Sequence, residues 1–166
     1  MPRGAGTSQI RGPGSEDGAM TPAILGLSHV GLSVRDLDAA WHFWVEVLGF
    51  ELIEQQPTFC FVFDRGAGLA ITMTDHEKTV LGAFDEHHPG LDHLAYAVPD
   101  VQSLLSWEQR LDGHGVAHSP IVETDAGHHL NLRAPDNVPI ELYVMKPEFA
   151  TALGLEVGLD PVAATA

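Results

Sequence analysis

Two histidines stand at matching places in two similar stretches of the chain. The stretch "GLSHVGLSV", residues 26–34, carries His29, and "GLDHLAYAV", residues 90–98, carries His93 sixty-four positions later. Imidazole binds divalent metals and exchanges protons near neutral pH. A single histidine in a strand is usually a packing residue, whereas two at the same point of a repeat indicate a common role.

The repeat extends well beyond the two histidines. The matching pairs are Gly26 and Gly90, Leu27 and Leu91, His29 and His93, Val34 and Val98, Asp36 and Asp100, and Gly49 and Gly113. Such a pattern indicates an internal duplication. Because half of this chain could hardly cover its own sheet, we expect the two halves to pack together.

Each half is predicted to contain one helix and four strands. In the first half a helix begins after Asp36 and ends at Gly49, since aspartate is a favoured N-cap and apolar residues recur at helical spacing. The strands "FELIEQ", "TFCFVFD" and "GLAITMTD" follow it. In the second half a helix runs from Asp100 to about Asp112, and the strands "VAHSPIVE", "HHLNLRA" and "IELYVM" follow.

This βαβββ pattern resembles the vicinal oxygen chelate superfamily, which includes glyoxalase I, extradiol dioxygenases, fosfomycin-resistance thiol transferases and bleomycin-resistance proteins. The segments that carry the resemblance are "LSHVGLSVRDLDAAWHFWVEVLGF", "GLDHLAYAV" and "APDNVPIELYV". It implies an α+β fold in which two tandem βαβββ modules form a curled, cup-shaped mixed sheet. We expect the domain over residues 24–146, with module one at 24–80, a linker at 81–89 and module two at 90–146.

The resemblance also implies a metal site. Carried over by position, His29 matches the first ligand, His93 the ligand on the second module's first strand, and Glu141 the carboxylate on the last strand. The fourth position falls on Thr72, where glyoxalase I has a carboxylate. Two imidazoles and one carboxylate resemble the dioxygenase and thiol-transferase branches more closely, and they suit Fe²⁺, Mn²⁺, Ni²⁺ or Zn²⁺.

Glu141 supports this interpretation on physical grounds. It lies between Ile140 and Leu142 in a mostly apolar strand, where desolvation of an unpaired buried carboxylate costs several kcal/mol. A bound cation would offset that cost. The alternative is that Glu141 points to solvent and the histidines are packing residues.

The stretch "GHHLNLRAP" supplies the candidate catalytic residues. By strand alternation His129 and Asn131 share one face, with Leu130 and Leu132 on the other. In the dioxygenases and fosfomycin enzymes, the resemblance places a substrate-contacting tyrosine ten residues before the ligand glutamate, which here is Asn131. His129 is the candidate general acid or base, and the alternative is a surface histidine.

The remaining histidines are given no role in the chemistry. His87 and His88 stand in the polar linker beside Pro89, where a solvated loop is expected. His42, His114 and His118 have no partner at a useful spacing.

Composition narrows the partners of the protein. Twenty-three Asp and Glu against eight Lys and Arg give a formal charge of −15, which argues against nucleic acid and anionic membrane surfaces. The single cysteine, Cys60, allows no intramolecular disulfide, which favours a reducing compartment. It lies in an apolar run, where it is expected to be a buried small hydrophobic residue. No stretch reaches the ~20 apolar residues of a membrane helix. We expect a cytoplasmic protein with a disordered leader at 1–23 and a tail at 147–166.

Together these features predict a metal-dependent enzyme that acts on a small oxygen-rich substrate, as a dioxygenase, lyase, isomerase or thiol transferase. The alternative is a metal-free protein that sequesters a drug or metabolite, as bleomycin-resistance proteins do. We also expect a homodimer, since proteins of this family commonly pair and exposed sheet edges favour pairing. The sequence leaves open whether His29 and His93 meet within one chain or across two.

Overall fold

The computed structural model describes residues 26–155, and it contains two four-stranded sheets, one from each half of the chain. The expected leader at residues 1–23 lies outside the described residues. No helix among those described is long and apolar enough to cross a membrane. The two-module α+β fold predicted from the sequence is confirmed.

The first half forms the sheet that we call the N-sheet. Its strands run in the order β1-β4-β3-β2, with β1 and β4 parallel and the other neighbours antiparallel. The elements are β1 (His29–Ser33), α1 (Leu37–His42), a π-helical turn (Phe43–Val47), β2 (Glu51–Gln56), β3 (Phe59–Asp64) and β4 (Leu69–Thr74).

The second half forms the C-sheet with the same topology, in the order β5-β8-β7-β6 and with β5 and β8 parallel. A short helix that the sequence did not predict follows the last strand. The elements are β5 (Leu94–Ala97), α2 (Val101–Gly113), β6 (Val122–Glu123), β7 (Gly127–Arg133), β8 (Pro139–Met145) and α3 (Pro147–Ala152).

Both predicted helix starts are confirmed, and they are capped in the same way. The Asp36 carboxylate accepts a hydrogen bond from the Ala39 amide at 3.0 Å, and the Asp100 carboxylate accepts one from the Ser103 amide at 2.7 Å. Each cap satisfies an amide that has no partner inside the helix. The duplication therefore repeats the local signal that begins the helix as well as the strands.

One predicted strand is wrong in length. The segment "VAHSPIVE" forms only the two-residue strand Val122–Glu123 and a single bridge between His118 and Leu132. Pro120 has no amide hydrogen to donate to a ladder. The His118 ring is within hydrogen-bond distance of its neighbour's carbonyl, with Nδ1 2.8 Å from Ser119 O. The segment therefore crosses the edge of the C-sheet mostly as a loop.

The two halves share one core, which lies between the sheets and the helices. Alternate residues of β3, β4, β7 and β8 face this core, and Leu130 and Leu132 are among them, as predicted. Cys60 is fully buried, and burial raises the pKa of its thiol to about 11. Arg110 of α2 joins the halves by donating to the carbonyls of Glu46 and Val47, each at 2.6 Å.

Candidate metal centre

The face of the C-sheet that is turned away from the helices, which we call its outer face, carries the polar residues of the second half. Strand register places Ala95, Glu141 and Asn131 side by side across β5, β8 and β7. His129 stands in the next row, opposite Tyr143. Asn131 and His129 therefore share a face with Glu141, as the alternation of β7 predicts.

Glu141 lies between two imidazoles. Its Oε1 is 3.9 Å from Nε2 of His93, and its Oε2 is 3.7 Å from Nδ1 of His129. The side chain is only 16% exposed, and no hydrogen bond within residues 26–155 reaches its carboxylate. A half-buried carboxylate with two facing imidazole nitrogens is a donor set that suits a divalent cation.

His93 is oriented by the residue that precedes it. The Asp92 carboxylate lies 2.6 Å from Nδ1 of His93, close enough to accept a hydrogen bond from it. With its proton on Nδ1, the ring presents the lone pair of Nε2 toward Glu141. A carboxylate on the far nitrogen is the usual companion of a metal-binding histidine, because it fixes the tautomer and raises the basicity of the ligand.

His29 lies on the other sheet and away from this group. It is exposed at the start of β1, in a row with Ala70 and Phe63 on the outer face of the N-sheet. Its ring is 3.3 Å from the Ser28 hydroxyl. Within residues 26–155 of one chain, no three His, Cys, Asp or Glu side chains form a cluster that could hold a metal.

Thr72 occupies in the N-sheet the place that Glu141 occupies in the C-sheet. The register pairs Gly31 with Thr72 on neighbouring parallel strands, just as it pairs Ala95 with Glu141. A hydroxyl therefore stands where the second half has a carboxylate. The outer face of the N-sheet is aromatic instead, since Phe61 stands beside Thr72.

Three features of the site were missed at the level of sequence. The first is Asp92, whose position directly before a strand histidine was the available signal. The second is a row formed by Phe59, Phe61 and Phe63 on the outer face of β3, which the alternation in "FCFVF" indicates. The third is an open pocket beside His93, which is built from residues distant in sequence and has no such signal.

The other histidines belong to no metal-binding group among the residues that the structure describes. His87 and His88 are exposed in the linker, as expected, and Nδ1 of His88 is 3.2 Å from the Asp85 carboxylate. His118 is nearly buried beside Asp112, at 3.2 Å. The carbonyl of Ser119 and the nearby Asp112 raise the pKa of His118.

Comparison with known proteins agrees with this architecture. The curated relatives that match include MhqA of Bacillus subtilis (strain 168), described as a ring-cleaving dioxygenase, which is 27% identical over 82% of this chain. Biphenyl-2,3-diol 1,2-dioxygenase 3 of Rhodococcus globerulus is 26% identical over 75% of this chain. The chain spans only 46% of the first relative and 65% of the second.

Many solved structures share this fold, and two of them illustrate the likeness. A glyoxylase/bleomycin resistance protein/dioxygenase domain from Frankia sp. EAN1pec is 34% identical to this chain, with a TM-score of 0.68. The match covers 75% of this chain and 100% of the Frankia domain. TnmS3, an antibiotic binding protein from Streptomyces sp. CB03234, is 26% identical to this chain, with a TM-score of 0.59. The match covers 76% of this chain and 100% of TnmS3.

The family model described as Glyoxalase/Bleomycin resistance protein/Dioxygenase superfamily matches residues 26–142, which include both sheets up to Leu142 of the last strand. The resemblance inferred from the repeated strands is thereby confirmed. This chain belongs to the Glyoxalase/Bleomycin resistance protein/Dioxygenase superfamily.

Proposed function

We propose that this protein is a metal-dependent enzyme that acts on a small, oxygen-rich substrate, with His93 and Glu141 as metal ligands. One observation carries the proposal: Asp92, His93 and Glu141 form a connected series in which the free nitrogen of the imidazole faces a carboxylate that accepts no hydrogen bond from the described residues 26–155. A half-buried carboxylate with a purely structural role rarely lacks a hydrogen-bond partner.

The third ligand in this proposal is the partner's His29. Each chain exposes one histidine on the N-sheet and a His–Glu pair on the C-sheet, and the two do not meet within residues 26–155. Two copies that pair with the N-sheet of one facing the C-sheet of the other would complete two sites. The expected homodimer then has a chemical reason, because neither copy holds a full set alone.

Each residue of the site has a defined task under this proposal. A divalent ion there would polarise two adjacent oxygens of a substrate as a Lewis acid. His129, 3.7 Å from Glu141, accepts or returns a proton at the substrate. Asn131, in the row of Glu141, donates a hydrogen bond to a substrate oxygen but cannot act as a phenolic acid.

The proposed ligands and proton carrier are compatible with several reaction classes. Ring cleavage is supported by the two dioxygenase relatives. Isomerase, lyase or thiol-transferase chemistry needs the same ligands and the same proton carrier. The domain limits at residues 24–146 and a cytoplasmic location also stay part of the proposal.

Metal analysis of the purified protein tests the proposal. After dialysis and reloading with Mn²⁺, Fe²⁺, Ni²⁺ or Zn²⁺ in turn, we expect about one ion per chain, and His93→Ala and Glu141→Ala should each lose it. His87→Ala is the matched control, because His87 is exposed in the linker. If the wild-type protein binds none of the four ions, the proposed metal-dependent enzyme function is wrong.

The second candidate function is metal-free binding of an antibiotic or metabolite. It is favoured by the likeness to TnmS3, an antibiotic binding protein, and by the lack of a three-ligand group within residues 26–155 of one chain. The same metal analysis separates the two functions. A binding protein would stay metal-free, and replacing His93 would change its ligand affinity without any effect of added ions.

A further inference from the structure

A pocket of about 410 Å³ opens beside His93. Most of the residues that line it are not proposed metal ligands. Asp92 and His93 line one side, and Asn131 and Arg133 of β7 line another. Glu86 of the linker also lines the pocket. The pocket therefore connects the proposed metal centre to a cationic side chain and to the segment that joins the halves.

Arg133 is placed on the same face as the proposed site. Residues 129, 131 and 133 alternate onto one side of β7, and Arg133 pairs in register with Pro139, two positions before Glu141. Two residues along a strand span about 7 Å. That separation is about the width of a benzene ring with a substituent on each side.

The guanidinium of Arg133 is held by a carboxylate from the linker. Its Nη1 donates to Oε2 of Glu86 at 3.1 Å and to the Asn137 carbonyl at 3.2 Å, and its Nη2 donates to Oε1 of Glu86. This is the two-pronged geometry in which arginine recognises any carboxylate. Glu86 thus occupies the position that a carboxylate of a small molecule would take.

Charge makes this arginine distinctive. The chain carries 8 basic and 23 acidic residues, and Arg133 is the only Lys or Arg among the residues that line this pocket in the described part of the chain. Asp92 and Glu86 are the acidic residues that line this pocket, so this guanidinium is the permanently charged group there that attracts an anion. The Arg133 ion pair holds the pKa of Glu86 at about 2, so Glu86 is ionised at neutral pH.

We propose that Arg133 selects substrates that carry a carboxylate at one end and two adjacent oxygens at the other, and that this carboxylate displaces Glu86. The inference rests on the proposed function, because the two oxygens are to be bound at His93 and Glu141. Arg133 is then a specificity-determining residue, and Glu86 pairs with its guanidinium when no substrate carboxylate is bound.

Calorimetric titration of the Mn²⁺-loaded protein with two matched probes tests this inference. The probes are 3,4-dihydroxybenzoate, which has the carboxylate, and 4-methylcatechol, which has a methyl group in its place. A charge-assisted hydrogen-bond pair predicts that wild-type protein binds the carboxylated probe about 10- to 100-fold more tightly. Arg133→Gln should abolish that preference and leave the affinity for 4-methylcatechol unchanged.

Glu86→Gln supplies the opposite result. Removal of the competing charge should increase the affinity for 3,4-dihydroxybenzoate several-fold without affecting 4-methylcatechol. Arg133→Lys keeps the charge but loses the two-pronged geometry, so it should give an intermediate preference. It replaces Arg133→Gln in the test if that variant fails to fold. The Mn²⁺ content of every variant should equal that of the wild type, since none of the replaced residues is a proposed ligand.

The possible failures are distinguishable. Equal binding of both probes by the wild type, or a preference that survives in Arg133→Gln, would overturn the role of Arg133 and leave the proposed function intact. If loaded wild-type protein binds neither probe, chelation at this site fails, and the inference fails with it.

Discussion

Asp92 and His93, adjacent in sequence, lie 2.6 Å apart through Oδ2 and Nδ1, and this contact turns the other imidazole nitrogen toward Glu141. Asp92→Asn should therefore weaken metal binding by roughly 10- to 100-fold, the usual effect of losing a carboxylate behind a ligand. Competition with a chelating dye measures this affinity. Asp125→Asn, in the loop before β7, is the control and should bind as the wild type does; equal affinity in both variants would show that Asp92 has no such role.

A site shared between two chains predicts complementation. His29→Ala and Glu141→Ala should each lose metal alone. When the two variants are unfolded, mixed and refolded together, mixed dimers regain one intact set, because one copy supplies His29 and the other supplies His93 and Glu141. We expect about half of the wild-type metal content in isolated mixed dimers. A mixture that stays metal-free would place all ligands within one chain, whereas metal retained by His29→Ala alone would exclude His29 as a ligand.

His129 is predicted to differ from the ligands. His129→Ala should keep metal content near that of the wild type, because the site keeps His93 and Glu141. Once a substrate is found, its kcat should fall by roughly 10²- to 10⁴-fold, the range for a positioned proton carrier. Loss of metal equal to that of His93→Ala would instead make His129 a ligand, which its 3.7 Å distance from Glu141 allows.

The pH dependence of stability should reveal His118. The Ser119 carbonyl and then Asp112 raise the pKa of His118 above its ordinary value of 6.5. A raised pKa in the folded state contributes stability that is complete below the unfolded pKa and is lost as pH rises through the folded value. The Tm advantage of wild type over His118→Gln should thus shrink as pH rises from about 6 to about 8. An advantage that does not change with pH would contradict the assignment.

Tyr96 offers a stability test inside the core. Its hydroxyl is buried without a hydrogen-bond partner among the described residues, and its ring meets the edges of Trp44 and Phe50 at 6.1 and 6.2 Å. Tyr96→Phe should leave the free energy of unfolding unchanged or raise it by about 1 kcal/mol, because an unsatisfied polar group is removed and the packing is kept. Urea unfolding measures it, with Tyr143→Phe as the comparison. A loss of more than about 1 kcal/mol would reveal a hidden partner for the hydroxyl.

Local signals explain why so much of this fold was predictable. Asp36 and Asp100 cap their helices through contacts three residues away, and Leu130 and Leu132 alternate into the core by strand geometry alone. The short β6 was mispredicted because a β-like composition outweighed the proline at position 120. Tertiary context determines such edge segments more than their composition does.

The candidate site was predictable only in part, because it depends on contacts between distant segments. The repeat identified His29 and His93, but it could not indicate that they lie on separate sheets of one chain. Arg133 and Glu86 are 47 positions apart, and nothing in either local stretch indicates that they pair. Asp92 was within reach of sequence reasoning, since it precedes a strand histidine directly.

Each sheet is built entirely from strands of its own half, and within residues 26–155 no strand pairs across the linker. Each sheet can therefore form without bringing together backbone segments from opposite halves of the chain. The N-sheet can assemble during synthesis, before the C-sheet has been made. The packing of the two halves around their shared core, with contacts such as those of Arg110, then requires the full chain.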